Sequence, residues 1–348
     1  MKKNRLIAAG LIMVLLSTML LAGCEDKQNS SEQVNVETNH ITIALQYGLA
    51  YAPLQIMKEK NLMEKYLPAV KVEWQQLGTG PVIREAIIAN NVDIGFMGIA
   101  PFLIGWDKGA RWKIATASAC SPLGLQTYKD NIKTLADFDS TDRIASPAIG
   151  SIQHILLAMA AEKELGDARA LDSIQAAMTH PDATAALLSK TDISAHFTSP
   201  PYIFKELAEE NIHQVISGED AFGGEFTFIF AVASESFHDS NPAGYAAFIA
   251  AFSEAVAFIN NNPQEAAVIL APLYKLSEEQ TLEYINWAGN NYCTTPYGIL
   301  GFVDFMKEQG YIERVPEDIS EIAFENVQAA IGKRHGGLSA IEKLQLRK

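Results

Sequence analysis

Cysteine and clustered positive charge are both scarce in this sequence. Its 348 residues hold three cysteines, Cys24, Cys120 and Cys293, which excludes a fold held together by a dense disulfide framework. The 27 Lys and Arg residues are outnumbered by 41 Asp and Glu, for a net charge of −14, and they form no basic block. Because an acidic surface repels the phosphates of nucleic acid, we expect no nucleic acid partner.

The common signatures of enzymes and metal sites are also missing. There is no Gly-x-Ser-x-Gly nucleophile turn, no Walker A phosphate loop and no Gly-x-Gly-x-x-Gly dinucleotide motif. No two of the seven histidines are three to five residues apart, so a zinc site on one helix is not indicated. We therefore expect a protein that is not an enzyme and that uses no cofactor or metal.

The amino terminus has the pattern of an export signal. Lys2, Lys3 and Arg5 precede an apolar run from residue 6 to 21, and the segment Leu-Ala-Gly-Cys at 21–24 resembles the lipobox of bacterial lipoproteins. We expect residues 1–23 to be a signal peptide, Cys24 to carry lipid, and the polar residues 24–40 to form a flexible tether. The protein would then be exported and anchored to the cell membrane, facing the periplasm or the exterior. The alternative is a plain signal peptide followed by a chance cysteine.

Short strands alternate with helices after residue 40. Residues 41–45 are apolar and rich in β-branched side chains, and residues 70–77 alternate between apolar and polar, as strands do. Pro53 and Pro81 each follow a glycine-containing loop and are typical of the first turn of a helix. This alternation predicts an α/β fold in which helices flank parallel strands.

A helix end, an aspartate and a proline recur at a constant offset. Asp93 and Pro101 are followed 99 residues later by Asp192 and Pro200, in similar local sequences. The repeat predicts two similar lobes, each a mixed sheet with flanking helices. We expect the first lobe to comprise residues 41–122 and 230–348, the second to comprise 123–229, and two segments near 123–128 and 228–234 to cross between them.

Loops of small residues precede five of the predicted helices. They lie at residues 48–51, 78–80, 98–100, 148–151 and 198–200. Helix N-termini carry unpaired N–H groups and partial positive charge, so such loops can hold a small anion or polar group without Lys or Arg. A single loop of this kind is more simply a capping turn. Five together, in a chain without enzyme motifs, favour a binding cleft between the lobes.

Residues 41–331 resemble the solute-binding proteins of ABC transporters for nitrate, sulfonates and taurine, in the type II periplasmic binding protein family. The segments that carry the resemblance are YGLAYAPL at 47–54, residues 80–98, PAIGS at 147–151 and FINNNPQEAA at 258–267. The resemblance implies two lobes that close over a small ligand. It also implies that the closed form docks on a membrane permease with its ATPase. We expect the protein to be a monomer.

The resemblance further implies ligand contacts from both lobes. In the first lobe they are Tyr47, Gly48, Tyr51, Gly78, Thr79, Gly80, Gly98 and Ile99, and in the second Gly150, Ser151, His154, Ser199 and Tyr202, with Glu225 and Phe226 near the second crossing.

Several alternatives stay open at this point. The first choice of ligand is a sulfonate, taurine or nitrate-like anion. The second is a pyrimidine or another heterocyclic vitamin precursor, because tyrosines stack on planar rings and Glu225 would oppose an anion. An enzyme acting on a pyrimidine precursor and a sensory lipoprotein are further alternatives. Cys120 and Cys293 are either paired or two separate thiols.

Overall fold

The computed structural model describes residues 40–328, in which strands and helices alternate along the chain. The predicted signal peptide, Cys24 and nearly all of the predicted tether lie outside the described residues. The strands are β1 (His40–Leu45), β2 (Lys71–Gln76), β3 (Ile94–Met97), β4 (Trp112–Cys120), β5 (Gly124–Thr127), β6 (Ile144–Ser146), β7 (Gln175–Ala177), β8 (Ala195–Thr198), β9 (His213–Ser217), β10 (Ile229–Ser234) and β11 (Asn291–Tyr292). The α-helices are α1 (Ala52–Glu59), α2 (Leu62–Tyr66), α3 (Gly80–Ile88), α4 (Ile99–Asp107), α5 (Ile152–Leu165), α6 (His180–Ser189), α7 (Tyr202–Leu207), α8 (Gly218–Phe222), α9 (Glu235–Ser240), α10 (Pro242–Asn261), α11 (Pro263–Tyr274), α12 (Glu278–Ile285), α13 (Ile299–Glu308) and α14 (Glu325–Gln328).

The first sheet has the strand order β11-β4-β10-β3-β1-β2. Strand β1 pairs in parallel with both β2 and β3, which places Ile43 beside Trp74 on one side and beside Ile94 on the other. Strand β10 returns from far along the chain and inserts antiparallel between β3 and β4. Buried apolar side chains on these strands pack against the flanking helices, as in other α/β sheets.

The second sheet has the order β7-β6-β8-β5-β9 and is built from strands between residues 124 and 217. Strand β6 runs parallel to β7 and β8, whereas β5 is antiparallel to β8 and β9. Both sheets are therefore mixed and flanked by helices, which confirms the predicted α/β fold of two lobes.

The chain passes between the sheets in loops and a short helix. Residues 121–123 join β4 to β5, and residues 218–228, which include α8, join β9 to β10. We expected the apolar runs at 123–128 and 228–234 to cross between the lobes, but β5 pairs within the second sheet and β10 within the first. We retain as a proposal the lobe limits of 41–122 with 230–348, and 123–229.

Helix α10 forms part of the core beside the first sheet. Asn241 caps it by accepting a hydrogen bond from the Gly244 N–H at 2.9 Å. Phe248 and Phe252, one turn apart, both pack against Phe96 of β3, with ring centroids 6.1 and 5.2 Å away. Within residues 40–328 this is the one helix long and apolar enough to cross a membrane, with a mean hydropathy of 1.5, but half of its apolar stretch is buried inside the protein.

The segment repeated at an offset of 99 occurs once in each sheet. Helix α3, strand β3 and helix α4 follow one another in the first lobe, as α6, β8 and α7 do in the second. The two aspartates nevertheless differ in their roles. Asp93 accepts a hydrogen bond from the backbone N–H of Thr42 in β1 at 2.8 Å. Asp192 instead lies in a turn, where its backbone has a left-handed conformation with φ 61°. The repeat therefore preserves the order of the elements more closely than their contacts.

The two cysteines of the described chain are neighbours. Cys120 ends β4, Cys293 directly follows β11, and these strands pair antiparallel. Their sulfur atoms are 3.9 Å apart and are not joined by a disulfide.

Candidate functional site

Four of the described helices begin around one small cavity between the two sheets. From the first lobe these are α3, which starts at Gly80, and α4, whose N-cap is Gly98; from the second they are α5, whose N-cap is Ser151, and α6, which starts at His180. Each helix follows a strand of the parallel part of its sheet, so the cavity lies where strand ends converge. Helix N-termini present N–H groups and partial positive charge to this space.

The cavity has a volume of about 20 Å³, enough for about one water molecule. Its lining comprises Gln46, Tyr47, Tyr51, Gly80, Gly98 and Pro101 from the first lobe, Ser151, Ile152, Gln153 and His180 from the second, and Phe228 and Ile229 where the chain returns. No Lys, Arg, Asp or Glu is among these lining residues. An organic ligand would need the lobes to part and to close again around it.

Local hydrogen bonds fix where two of the helices start. The Thr79 hydroxyl accepts from the Val82 N–H at 3.4 Å and caps α3, and the Ser151 hydroxyl accepts from the His154 N–H at 3.3 Å and caps α5. At Gly98 the absence of a side chain is required by packing. A Cβ there would lie 2.8 Å from the Cβ of Ile152 in the other lobe, closer than such atoms approach.

The two lobes also meet at Gly48. Its φ of 129° suits only glycine, and a Cβ there would lie 3.0 Å from the Pro200 carbonyl oxygen. The next N–H, that of Leu49, donates to the same Pro200 oxygen at 2.9 Å, and the Tyr274 hydroxyl donates to the Gly48 carbonyl at 3.1 Å. The bond from Leu49 to Pro200 therefore joins the two lobes beside the cavity, and Tyr274 holds the Gly48 backbone in place from within the first lobe.

The structure brings five of the predicted contact residues to the cavity, namely Tyr47, Tyr51, Gly80, Gly98 and Ser151. Tyr47 is partly exposed at the rim, whereas Tyr51 is buried. Burial raises the pKa of Tyr51 well above 10, so its hydroxyl is neutral.

Two further predicted residues contact His180 from behind the cavity. The Ser199 hydroxyl lies 3.3 Å from His180 Nε2, and the Tyr202 ring stacks on the imidazole with centroids 5.6 Å apart. Burial, with a smaller effect of Tyr47, raises the pKa of Tyr202 to about 12. These two residues therefore support a cavity side chain without lining the cavity.

Several predicted residues take structural positions around the site. Gly48 and Gly78 lie where the lobes touch, Thr79 is a helix cap, and Ile99 is fully buried in the first turn of α4. Gly150 has a φ of 79° in the turn before α5.

His154, Glu225 and Phe226 do not line the cavity. His154 Nδ1 accepts from the Gly150 N–H at 3.2 Å, and the edge of the ring packs against Tyr311. Burial lowers the pKa of His154. Phe226 packs instead into an aromatic cluster with Phe302, and Glu225 is exposed.

The sequence reasoning missed seven lining residues, Gln46, Pro101, Ile152, Gln153, His180, Phe228 and Ile229. A signal for His180 was present, because Thr179-His180-Pro181 is a further helix start of the kind noted at the other loops. Gln153 lies two residues beyond the predicted Ser151, on the first turn of α5. Phe228 and Ile229 carry no local signal, because only the return of the chain to β10 brings them to the cavity.

His180 is the one histidine among the described residues that line the cavity. Burial, and then the neighbouring imidazole of His196, hold its pKa well below 6.5, so it is neutral near pH 7. Within residues 40–328, no three side chains of His, Cys, Asp or Glu are grouped to hold a metal ion.

Comparison with known proteins gives one matching family and several relatives. Residues 35–273 match the sequence model of the NMT1-like family. A protein of Escherichia coli (strain K12), named for the binding of aliphatic sulfonates, is 24% identical over 260 residues, which are 74% of this chain and 79% of that protein.

Two solved structures show the same fold. The periplasmic aliphatic sulphonate binding protein SsuA from Escherichia coli aligns with a TM-score of 0.65 at 21% identity, covering 84% of this chain and 99% of that one. The periplasmic nitrate-binding protein NrtA from Synechocystis PCC 6803 aligns with a TM-score of 0.67 at 15% identity, covering 83% and 87%. These findings confirm the resemblance read from the sequence: the chain belongs to the NMT1-like family and has the two-lobed fold of periplasmic binding proteins.

Proposed function

We propose that the protein is an extracytoplasmic solute-binding lipoprotein that takes a small anion between its lobes and delivers it to an ABC importer. The observation that carries the proposal is the convergence of four helix N-termini on one cavity, with no carboxylate among the lining residues that the structure describes. Relatives named for sulfonate and nitrate binding support an anion of the sulfonate, taurine or nitrate type.

The chemistry of helix starts suits such a ligand. Each N-terminus offers N–H groups that lack an intrahelical acceptor, and its partial positive charge stabilises an anion by about 0.3–1 kcal/mol, or ~2 kcal/mol when partly buried. Sulfonate and nitrate oxygens accept several hydrogen bonds at once. Four helix starts around a small cavity can therefore take the place of Lys or Arg, neither of which occurs among the lining residues of the described chain.

The remaining parts of the proposal concern partners and location. Lipid on Cys24 would tether the protein to the membrane, and a permease with its ATPase would recognise the closed lobes. Closure couples to the ligand because the contacts of both lobes are available together only in the closed state. The protein would act as a monomer and without catalysis.

A pyrimidine or other heterocycle is the second candidate ligand. Tyr47 and Tyr51 offer aromatic surface at the cavity, and the imidazole of His180 in its wall is neutral. The importer role would be the same.

A thermal unfolding screen with methanesulfonate, taurine, nitrate and a neutral aminopyrimidine tests the proposal. A ligand that binds the folded protein at a hundredfold excess over its Kd adds about 2.7 kcal/mol to the free energy of unfolding. We expect at least one anion to raise the midpoint. A shift with the aminopyrimidine alone would favour the second candidate, and no shift with any small solute would contradict both.

A further inference from the structure

Three consecutive backbone carbonyls beside the cavity each accept a hydrogen bond from a side-chain hydroxyl. They belong to the loop 48–50, which lies between β1 and α1 and is buried along its length. The bonds, named from hydroxyl to carbonyl, are Tyr274 to Gly48 at 3.1 Å, Tyr292 to Leu49 at 3.2 Å and Ser118 to Ala50 at 2.8 Å. We call Ser118, Tyr274 and Tyr292 the hydroxyl clamp.

The hydroxyl clamp comes from three separate elements of the first lobe. Ser118 is in β4, Tyr274 is the last residue of α11, and Tyr292 is in β11. Ser118 and Tyr292 are buried, and Tyr274 is partly buried. A buried carbonyl that has no hydrogen-bond partner costs free energy. Three hydroxyls from distant parts of the chain therefore hold loop 48–50 in one conformation.

The hydroxyl groups act as donors in the clamp. A carbonyl oxygen can only accept, so each hydroxyl proton points at the loop. Burial, and then the neighbouring tyrosines, raise the pKa of Tyr274 well above 10, and burial raises the pKa of Tyr292, so both keep their protons near pH 7. The Asn290 amide nitrogen donates to the Tyr292 oxygen at 3.3 Å, which leaves the Tyr292 proton to point at Leu49.

Loop 48–50 also forms a backbone hydrogen bond with the second lobe. The Leu49 N–H donates to the carbonyl of Pro200, which follows β8, at 2.9 Å. Leu49 is the first residue of a short helical turn, so its N–H has no acceptor within that turn. When the lobes part, the N–H and the Pro200 carbonyl must both turn to water. The bonds of the hydroxyl clamp lie within the first lobe and need not break.

We propose that the hydroxyl clamp positions loop 48–50 for ligand-induced closure, so that the Leu49 N–H meets the Pro200 carbonyl when the lobes come together. The inference rests on the proposed function, in which the lobes close over a ligand. If the loop were free in the open protein, each closure would have to order its backbone, and that conformational entropy would be lost from the free energy of binding. Because the loop is already held, closure costs less and the ligand dissociates more slowly.

Tyr274→Phe and a matched control, Tyr245→Phe, test the inference. Each change removes one tyrosine hydroxyl that donates a hydrogen bond within the first lobe. Tyr274 donates to the Gly48 carbonyl at 3.1 Å, and Tyr245, on α10 and outside the cavity lining, donates to the Asn326 side chain at 2.9 Å. Both variants should have a lower unfolding midpoint without ligand, so stability by itself does not separate a positioning role from a structural one.

Ligand binding separates the two roles. Calorimetry on the purified full-length proteins measures the Kd for methanesulfonate, nitrate and a neutral aminopyrimidine. For each probe that the unmodified protein binds, Tyr274→Phe should weaken binding by about three- to tenfold, the contribution of one hydrogen bond, and Tyr245→Phe should change the Kd by less than about twofold. Ligand should slow hydrogen exchange of the Leu49 amide in the unmodified protein and in Tyr245→Phe, and should slow it less in Tyr274→Phe.

An unchanged Kd in Tyr274→Phe, or an equal loss of affinity in Tyr274→Phe and Tyr245→Phe, would overturn the inference and leave the proposed function standing. The unmodified protein decides the question even if Tyr274→Phe fails to fold. A probe that binds it without slowing exchange of the Leu49 amide would also overturn the inference alone. Failure of every probe to bind the unmodified protein would overturn both.

Discussion

Asp142 is a buried carboxylate whose charge is paired with a partly exposed lysine. Its side chain is 2% exposed, forms an ion pair with Lys129, and accepts from the Asp139 N–H at 3.0 Å. Burial by itself raises the pKa of Asp142, but the bonds from Lys129 and Asp139 outweigh burial, so the pKa is lowered. The ionised form therefore stabilises the fold.

Asp142→Asn should lower the free energy of unfolding at pH 7 by about 1–3 kcal/mol, since it leaves a charged lysine and polar groups without their partner. Because the folded-state pKa lies below the unfolded value of about 3.9, this stability is fully present above that pH and is lost as the pH falls through the folded pKa. Urea unfolding should show that the free energies of unfolding of Asp142→Asn and of the unmodified protein differ less at pH 3 than at pH 7. Exposed Asp130→Asn serves as the control, with a change within about 0.5 kcal/mol. If Asp142→Asn lowered the free energy of unfolding equally at pH 7 and pH 3, the prediction that the ionised form of Asp142 stabilises the fold would be contradicted.

At the scale of elements, strands β4 and β11 bring two distant cysteines together. Cys120 and Cys293 are 173 residues apart in sequence, yet their sulfur atoms are 3.9 Å apart. The neighbouring thiol and burial hold the pKa of Cys120 far above its usual range. The reactive thiolate is therefore scarce at neutral pH.

Oxidised glutathione should convert this pair to a disulfide, with two glutathione molecules released, and the rate should rise with pH as thiolate forms. Mass spectrometry of a Cys24→Ser protein should show the loss of two hydrogens and a peptide crosslink between the two cysteines. Adding Cys120→Ser to that protein should abolish the crosslink. Two thiols that stay reactive toward a thiol reagent after prolonged oxidation of the folded protein would contradict the prediction.

At the scale of the whole described molecule, contacts between the lobes leave a cavity of only about 20 Å³. The start of α4 meets the start of α5 at Gly98 and Ile152, and the Leu49 N–H, next to Gly48, donates to the Pro200 carbonyl of the other lobe. Closure thus depends on positions where a side chain would separate the two halves.

Gly98→Ala should weaken ligand binding about tenfold, because its Cβ would lie 2.8 Å from the Cβ of Ile152 and overpacking costs about 1–3 kcal/mol. Gly78→Ala is the matched comparison. Its Cβ would lie 3.5 Å from the Thr179 methyl, an ordinary contact, so a smaller loss is expected. Calorimetry should be used to measure the Kd of each variant for the ligand that raises the unfolding midpoint most. A larger loss of affinity in Gly78→Ala than in Gly98→Ala would contradict the prediction.

Local sequence signals predicted much of the fold. Pro53 and Pro81 lie in the first turns of α1 and α3, as their positions after glycine-containing loops predicted. Such signals act within one turn of the chain, so they can be read without tertiary structure. The repeat at an offset of 99 likewise predicted two lobes, because it records the order of elements.

The sequence by itself determined the α/β class, the two lobes, the family and the small-residue helix starts that line the cavity. Tertiary structure alone decided which side chains meet there. His154 and Gln153 are adjacent in sequence, yet Gln153 lines the cavity and His154 packs beside Tyr311. Phe228, which also lines the cavity, was not predicted by any sequence pattern. The physical reason is that periodicity and capping are local interactions, whereas a binding site is set by contacts among segments far apart along the chain.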